Sequence, residues 1–164
     1  MLFDLETLNL AEAVLAACRS RDWQVATAES CTGGLVAAAL TAIAGSSDVV
    51  ERGFVAYTNE AKSQLLGVPP ETIAEYGAVS PETAAAMARG AVSRAPVDFA
   101  ISIIGIAGPG GATPTKPVGL VLFGLARRDG TCRTERHIFP GDRSAVRQAA
   151  LEAALRLLQA EAQS

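Results

Sequence analysis

The stretch WQVATAESCTGGLVAAALTAIA (residues 23–44) decides the fold, because an apolar run changes into an alanine-rich helical pattern within it. The run Trp23–Ala28 predicts a short buried strand. Gly33–Ala44 predicts a helix that Gly45 closes, as glycine often does after a helix C-terminus. Ser30 then lies in the turn at the carboxyl edge of the sheet, where open α/β folds usually bind ligands.

The rest of the chain alternates helices and strands before it ends in a hairpin and a long helix. Asp129-Gly130 is typical of a tight turn between two antiparallel strands. The pattern predicts one domain over residues 1–164, a three-layer α/β/α fold with a mixed sheet. The predicted helices are 5–20, 33–44, 60–66, 81–94 and 143–161, and the predicted strands are 23–28, 53–57, 99–107, 118–126 and 132–139.

Composition limits the partners that the chain can have. It has 164 residues, of which 49% are hydrophobic and 19% charged, with a formal net charge of −3. Without a basic run, nucleic acid is not expected as a partner. No apolar run reaches the ~18 residues of a membrane helix, and the N-terminus is acidic where a signal peptide is basic. We therefore expect no membrane partner and a cytoplasmic location.

Cysteine and histidine are too scarce for a metal centre. Cys18, Cys31 and Cys132 are too scattered for a disulfide framework. The single histidine, His137, alternates with polar residues in a predicted strand and is interpreted as a solvated side chain. We therefore expect no metal and no cofactor, and a Ser-His-Asp triad would depend entirely on His137.

The turn around Ser30 allows two interpretations. The N–H groups of Thr32, Gly33 and Gly34 would be the unpaired first-turn donors of the helix, and such donors suit a phosphate or an oxyanion. Alternatively, the turn contains an ordinary N-cap with glycines for packing. The G-x-S-x-G nucleophile elbow does not match, because Ala28 and Thr32 occupy its glycine positions.

A second stretch, AYTNEAKSQLLG (residues 56–67), offers a base for Ser30. Asn59 as N-cap would place Lys62 at N3, where the positive end of the helix dipole lowers a lysine pKa. Tyr57 is a second candidate for proton transfer. The chain has only two lysines among its 14 basic residues, the other being Lys116. The alternative interpretation is a surface lysine beside a tyrosine at the edge of the core.

Several blocks in one order carry a resemblance. The blocks are TAESCTGG (27–34), IAGSS (43–47), RGFVAYTNEAKSQLLGV (52–68), GAVSPETA (77–84), GIAGPGG (105–111), KPVGLV (116–121) and FPGDRSAVR (139–147). From Val25 to the final helix, the chain is similar to the C-terminal domain of the competence/damage-inducible protein (CinA) family, which also occurs as a stand-alone nicotinamide-nucleotide amidase.

The resemblance implies deamidation of nicotinamide mononucleotide to nicotinate mononucleotide and ammonia. The serine nucleophile of the family matches Ser30, its lysine base matches Lys62, and its auxiliary tyrosine matches Tyr57. Backbone N–H groups of residues 32–34 would hold the oxyanion, and no metal would be needed. The resemblance also suggests a homo-oligomer whose partner is a small nucleotide substrate.

The substrate phosphate needs a binding site of its own. Candidates are Gly45-Ser46-Ser47 and the pair Arg143 and Arg147, which are four residues apart and share a helix face. The arginines could equally lie on a solvated face or in ion pairs, and the glycine-rich loop after residue 105 could be the pocket wall or a simple turn. The predicted substrate-binding residues are Cys31, Thr32, Gly33, Gly34, Gly45, Ser46, Ser47, Asn59, Gly105, Gly108, Arg143 and Arg147.

Two positions depart from the pattern of the family. Ile104 stands where a serine or threonine is usual, and Ala112 stands where a further glycine is common. A hydroxyl that could touch the substrate or Lys62 is thereby lost. This keeps two alternatives open: a catalytically weak or silent nucleotide-binding module, and a Ser-Lys hydrolase of another small amide.

Overall fold

The strand before Ser30 lies between two parallel neighbours. In the computed structural model, which describes residues 1–164, strand β1 (Val25–Glu29) is buried and pairs in parallel with β2 (Val50–Val55) and β3 (Phe99–Gly105). Glu29, the last residue of β1, lies opposite Val55 and Ile103. The carboxyl ends of three strands therefore meet at one edge, which we call the carboxyl edge; the opposite edge is the amino edge.

Two antiparallel strands complete the sheet. Strands β4 (Leu120–Arg127) and β5 (Cys132–Ile138) follow β3, and the order across the sheet is β2-β1-β3-β4-β5. The turn between β4 and β5 contains Asp129 and Gly130, and Gly130 has a φ of 95°. The predicted mixed sheet and hairpin are confirmed.

Helices cover both faces of the sheet. Alternate residues of a strand point to opposite faces, so Ile103 and Phe123 join a core cluster of 25 residues, while Ile104 and Leu122 join one of 14 on the other side. The three-layer α/β/α prediction is confirmed. Helices α1 (Leu5–Arg19), α2 (Leu35–Thr41) and α6 (Arg143–Gln163) pack on the first face, and α3 (Asn59–Leu66), α4 (Pro70–Tyr76) and α5 (Pro81–Arg94) on the second. None of these helices is long and apolar enough to cross a membrane.

Helix α2 is shorter than predicted. It begins at Leu35 instead of Gly33 and ends at Thr41 instead of Ala44. Gly33 and Gly34 have φ values of +59° and +102°, a left-handed conformation that glycine adopts readily and that a right-handed helix does not contain. The two glycines therefore form a turn before the helix.

Helix α3 has a different cap from the predicted one. The side chain of Thr58 accepts a hydrogen bond from the N–H of Ala61 at 3.1 Å, which makes Thr58 the N-cap and Asn59 the first helical residue. Lys62 is therefore at N4 and not at N3. By contrast, the predicted N-cap of α5 is confirmed, since Ser80 accepts from the N–H of Thr83.

Candidate active site

A small cavity opens at the carboxyl edge. Its volume is about 210 Å³, and residues from the ends of β1, β2 and β3, from α3 and from the start of α6 line it. Seven predicted site residues meet there: Ser30, Cys31, Tyr57, Asn59, Lys62, Gly105 and Arg143. The remaining lining residues are Ala78, Val79, Ile104 and Ala107.

Ser30 is held rigidly while its hydroxyl is left free. Its backbone N–H donates to the carbonyl of Ile103 at 2.9 Å, which ties the residue to β3. The residue is 7% exposed and lines the cavity, and its Oγ forms no hydrogen bond within the chain. No buried side-chain oxygen or nitrogen of the chain lacks a hydrogen-bond partner, so the unpaired Ser30 hydroxyl is accessible from the cavity and available to a ligand.

The turn after Ser30 presents a different set of donors from the one we expected from the sequence. The N–H of Gly33 donates to the carbonyl of Ser30 at 3.0 Å and is therefore used within the turn. The N–H groups of Thr32 and Gly34 have no acceptor in the chain, and neither has that of Cys31. The groups of Thr32 and Gly34 precede helix α2, so the prediction that they belong to its first turn is wrong, although they remain available to an anion.

Lys62 is buried beside the cavity. It is 2% exposed, and its Nζ donates to the carbonyl of Tyr57 at 2.9 Å. Burial lowers the pKa of this amine, against a smaller opposing effect of Cys31. The predicted direction of the pKa shift agrees with the structure, but its cause is burial and not the helix dipole.

Cys31 contributes a thiol to the same cavity. The residue is 6% exposed, and burial raises the pKa of the thiol to about 12. The thiol is therefore protonated at neutral pH and is a poor nucleophile, since the thiolate is the reactive form.

Tyr57 and Arg143 form the rim of the cavity. The Tyr57 side chain is exposed, and its hydroxyl accepts from Nη2 of Arg143 at 3.0 Å. Nη1 of Arg143 donates to the carbonyl of Gly108, also at 3.0 Å. The guanidinium thus bridges β2 and the glycine-rich loop, and Gly108 lies at the site through its carbonyl oxygen.

Arg147 has a different role from Arg143, although both lie on one side of α6. Its Nε donates to the carbonyl of Cys31 at 3.1 Å and its Nη2 to that of Thr32 at 3.3 Å. Arg147 does not line the cavity. The structure therefore does not bring the two arginines together around one anion, because Arg147 is already bound to the backbone of the turn.

The predicted phosphate loop Gly45-Ser46-Ser47 lies elsewhere. It precedes β2, and the neighbouring Val49 accepts a hydrogen bond from the N–H of Val25, the first residue of β1. The loop is therefore at the amino edge, roughly 16 Å from Ser30, because five steps of ~3.3 Å along the strand separate Val25 from Ser30. The structure does not bring the loop to the cavity, because β2 runs parallel to β1 and starts at the edge where β1 starts.

Ile104 is part of the cavity wall. It is 2% exposed and belongs at the same time to the core cluster beneath α5. The side chain gives the cavity an apolar surface where a hydroxyl was expected from the resemblance. The lining residues Ala78 and Val79 were missed by sequence reasoning, although they lie in the GAVSPETA block that carries part of the resemblance.

Other parts of the surface lack comparable chemistry. A larger cavity of about 790 Å³ lies between α3, α4 and α5, and it contains neither a serine–lysine pair nor a buried charge. No group of three or more histidine, cysteine, aspartate or glutamate side chains could hold a metal ion. His137 stacks on Phe139 with ring centroids 5.4 Å apart and pairs with Glu135.

Comparison with known proteins gives one consistent result. The CinA C-terminal domain matches residues 7–162. Nicotinamide-nucleotide amidohydrolase PncC of Escherichia coli (strain K12) is 52% identical over 155 residues, 94% of either chain. A putative competence-damage inducible protein of Caldicellulosiruptor bescii is 45% identical over 96% of this chain, which is 38% of that longer protein. The crystal structure of competence/damage inducible protein CihA from Agrobacterium tumefaciens superposes with a TM-score of 0.94 at 46% identity and covers 98% of either chain. The chain belongs to the CinA C-terminal domain family.

Proposed function

We propose that this chain is a nicotinamide-nucleotide amidase, which converts nicotinamide mononucleotide to nicotinate mononucleotide and ammonia. The proposal is carried by a free serine hydroxyl and a buried lysine amine that line one small cavity. The 52% identity to the amidohydrolase PncC of E. coli, over 94% of either chain, supports the choice of substrate.

Acylation would begin with proton transfer. Neutral Lys62 accepts the proton of Ser30 as Oγ attacks the carboxamide carbon, and the N–H groups of Thr32 and Gly34 stabilise the oxyanion. The C–N bond then breaks, and Lys62 gives the proton to the leaving nitrogen. Ammonia departs, and an ester between Ser30 and the nicotinoyl group remains.

Deacylation reverses the proton path. Lys62 accepts a proton from a water molecule that attacks the ester, and it returns this proton to Oγ of Ser30 as the C–O bond breaks. Nicotinate mononucleotide leaves and the enzyme is restored. The cycle consumes one water molecule and needs no other co-reactant.

The size of the cavity suggests how the nucleotide would lie. At about 210 Å³ it is below the ~300–1,000 Å³ of cavities that enclose a whole small ligand. The carboxamide ring would therefore enter, and the ribose phosphate would lie across the rim. Arg143 is the rim cation, and a guanidinium binds phosphate oxygens well. We assign the phosphate to Arg143 and not to Arg147 or Ser46.

A silent nucleotide-binding module is the second candidate, and Ile104 is the observation that favours it. An apolar wall beside Lys62 cannot donate a hydrogen bond to the substrate amide or accept one from it. The module would bind the nucleotide through the rim without turning it over.

Ammonia release separates the candidates. Purified protein is incubated with nicotinamide mononucleotide, with free nicotinamide and with asparagine, and nucleotide binding is measured by calorimetry. The amidase releases ammonia from the mononucleotide and not from free nicotinamide or asparagine. Binding without release identifies the silent module, and faster release from another amide identifies a different Ser-Lys hydrolase.

Two expectations about the surroundings of the protein stay predictions. Exposed apolar side chains, among them Val55, Leu65 and Ile138, are consistent with the homo-oligomer that the resemblance suggests, and analytical ultracentrifugation would determine the number of subunits. The cytoplasmic location would be tested by fractionation of cells.

A further inference from the structure

The carboxylate of Glu29 is buried directly before Ser30. It has no solvent exposure, and it accepts hydrogen bonds from Oγ1 of Thr32 at 2.7 Å, from the N–H of Val36 at 2.9 Å and from the N–H of Ala37 at 3.0 Å. Oγ1 of Thr27 adds a fourth contact at 3.4 Å. All four partners are neutral donors. Burial of a carboxylate is unfavourable without such bonds, and these four donors stabilise it in its buried position.

The Glu29 carboxylate lies farther along the sequence from the N–H groups that it binds than the side chains that cap the other helices. Asp4 and Asp142 are N-caps of α1 and α6 and bond to a residue three positions ahead. Glu29 instead reaches seven and eight residues ahead, to the first turn of α2. Its carboxylate therefore spans the whole turn 30–34, and an aspartate or serine at the N-cap position 34 would cap the helix without holding that turn.

The backbone of Glu29 connects to the other half of the site. Its carbonyl accepts from the N–H of Ala56 at 3.0 Å. The next residue, Tyr57, provides the carbonyl that accepts from Nζ of Lys62. Glu29 is thus bonded through its carboxylate to the turn of Ser30, and through its carbonyl to the backbone segment whose next residue provides the acceptor of Lys62.

We propose that Glu29 is a positioning residue, whose carboxylate fixes the turn 30–34 so that the Ser30 hydroxyl faces Lys62. The carboxylate also accepts from two first-turn donors of α2, the N–H groups of Val36 and Ala37, while the N–H groups of Cys31, Thr32 and Gly34 remain free for an oxyanion. The proposal rests on the proposed role of Ser30 as nucleophile. Glu29 itself touches no reacting atom.

The test replaces the carboxylate by an amide of the same shape. In Glu29→Gln one acceptor becomes an NH₂ group that faces an N–H or hydroxyl donor, so that the turn must shift. Glu161→Gln is the matched control: Glu161 is a buried carboxylate at 7% exposure that accepts from Arg127 and Arg133 at the amino edge.

Two rates are measured for each variant. The first is ammonia release from nicotinamide mononucleotide, resolved into kcat and KM; the second is the labelling of Ser30 by phenylmethylsulfonyl fluoride, followed by mass spectrometry. We expect Glu29→Gln to lower kcat and the labelling rate by ~10–100-fold with KM within ~3-fold, because a misplacement of about 1 Å has effects of this size. Glu161→Gln should keep both rates within ~2-fold, as substitutions remote from a site do.

The proposal is overturned if Glu29→Gln keeps both rates, or if Glu161→Gln loses as much. A wild-type protein that is labelled at Ser30 but releases no ammonia refutes the proposed substrate, and the labelling ratio then decides alone on Glu29. If circular dichroism shows that Glu29→Gln does not fold, Thr32→Val decides, because it removes one donor to the carboxylate. Slower labelling of Ser30 in Thr32→Val supports the proposal, and unchanged labelling contradicts it.

Discussion

The charged side chains at the amino edge of the parallel strands are paired, whereas at the carboxyl edge paired groups such as Glu29 lie beside a serine that has no partner and a lysine that has no charged one. At the amino edge, the guanidinium of Arg19 binds both carboxylate oxygens of Asp48 and the carbonyl of Gly45. At the carboxyl edge, the Ser30 hydroxyl has no partner and the amine of Lys62 is buried with one neutral acceptor. An edge built only for stability would pair its groups. Departures from this rule in a natural protein are expected at functional sites.

The comparison is sharpest for two serines that look alike in the sequence. Ser30 and Ser46 both lie among small residues after an apolar segment, and both are 7% exposed. Only the direction of the strands separates them: one follows β1 and the other precedes β2. Local composition therefore identifies turns that could bind an anion, and topology decides which of them meets a lysine.

The largest expected effect tests the difference between Ser30 and Ser46. Ser30→Ala should lower kcat for nicotinamide mononucleotide by at least ~10³-fold, because loss of a serine nucleophile has effects of this order or larger. Substrate affinity, measured by calorimetry, should stay near that of the wild type. Ser46→Ala should keep kcat within ~3-fold. A comparable loss of kcat in a folded Ser46→Ala variant would mean that the phosphate site or the reacting group lies at the amino edge.

The two lysines provide the next test. Lys62→Arg should lower kcat by ~10²–10⁴-fold, the usual contribution of a general base, because a guanidinium stays protonated at neutral pH. Lys116 is the matched control, since its Nζ also donates to a tyrosine carbonyl, that of Tyr76 at 2.8 Å, but outside the site. Lys116→Arg should remain active. An active Lys62→Arg variant with an altered KM would make Lys62 a binding residue.

The pH dependence tests the same amine without a substitution. Burial lowers the pKa of Lys62, so the amine is neutral above this pKa and protonated below it. Since the base must be neutral, kcat should rise about tenfold per pH unit below the pKa and level off above it, with the plateau reached below the ~10.4 of a free lysine. A rate that falls as the pH rises from 6 to 9 would contradict a lysine base.

Sequence patterns found the fold because they depend on local periodicity. The alternation of strands and helices and the Ser80 cap are properties of neighbouring residues, and they agree with the structure. The predicted start of α2 was wrong because Gly33 and Gly34 are left-handed, and because the carboxylate that accepts from its first turn, that of Glu29, lies seven residues before Val36. A bond over that distance through a left-handed turn has no signature in helical spacing.

Sequence reasoning brought residues to the cavity correctly where their position depends on a single turn. It misplaced residues whose position depends on how distant segments pack. Ser30 and Lys62 were chosen because of residue type and position beside a helix start, and both line the cavity. Spacing of four residues put Arg143 and Arg147 on one side of α6, but it could not show that Arg147 binds the carbonyl groups of Cys31 and Thr32. The partners of a long side chain depend on which loop packs against it.

A smaller effect separates these two arginines. Arg143→Ala should raise KM for nicotinamide mononucleotide by ~10-fold or more, the worth of a charge-assisted hydrogen bond. It should leave KM for nicotinamide riboside, which lacks the phosphate, nearly unchanged. Arg147→Ala should instead affect both substrates alike, because Arg147 holds the turn and not the ligand. If Arg143→Ala raised KM equally for both substrates, Arg143 would not be the residue that binds the phosphate.

The smallest effect is expected for His137 and for chelators. The ring of His137 lies on strand β5, stacked on Phe139 and 3.1 Å from Glu135, and none of these residues lines the cavity of Ser30. His137→Ala should therefore keep kcat within ~2-fold. Dialysis against EDTA should leave the rate unchanged as well, because the proposed base is an amine that needs no bound ion to accept a proton. Activity that disappears with EDTA and returns with zinc would overturn the Ser-Lys mechanism, and it would require metal ligands outside the groups of side chains that this fold brings together.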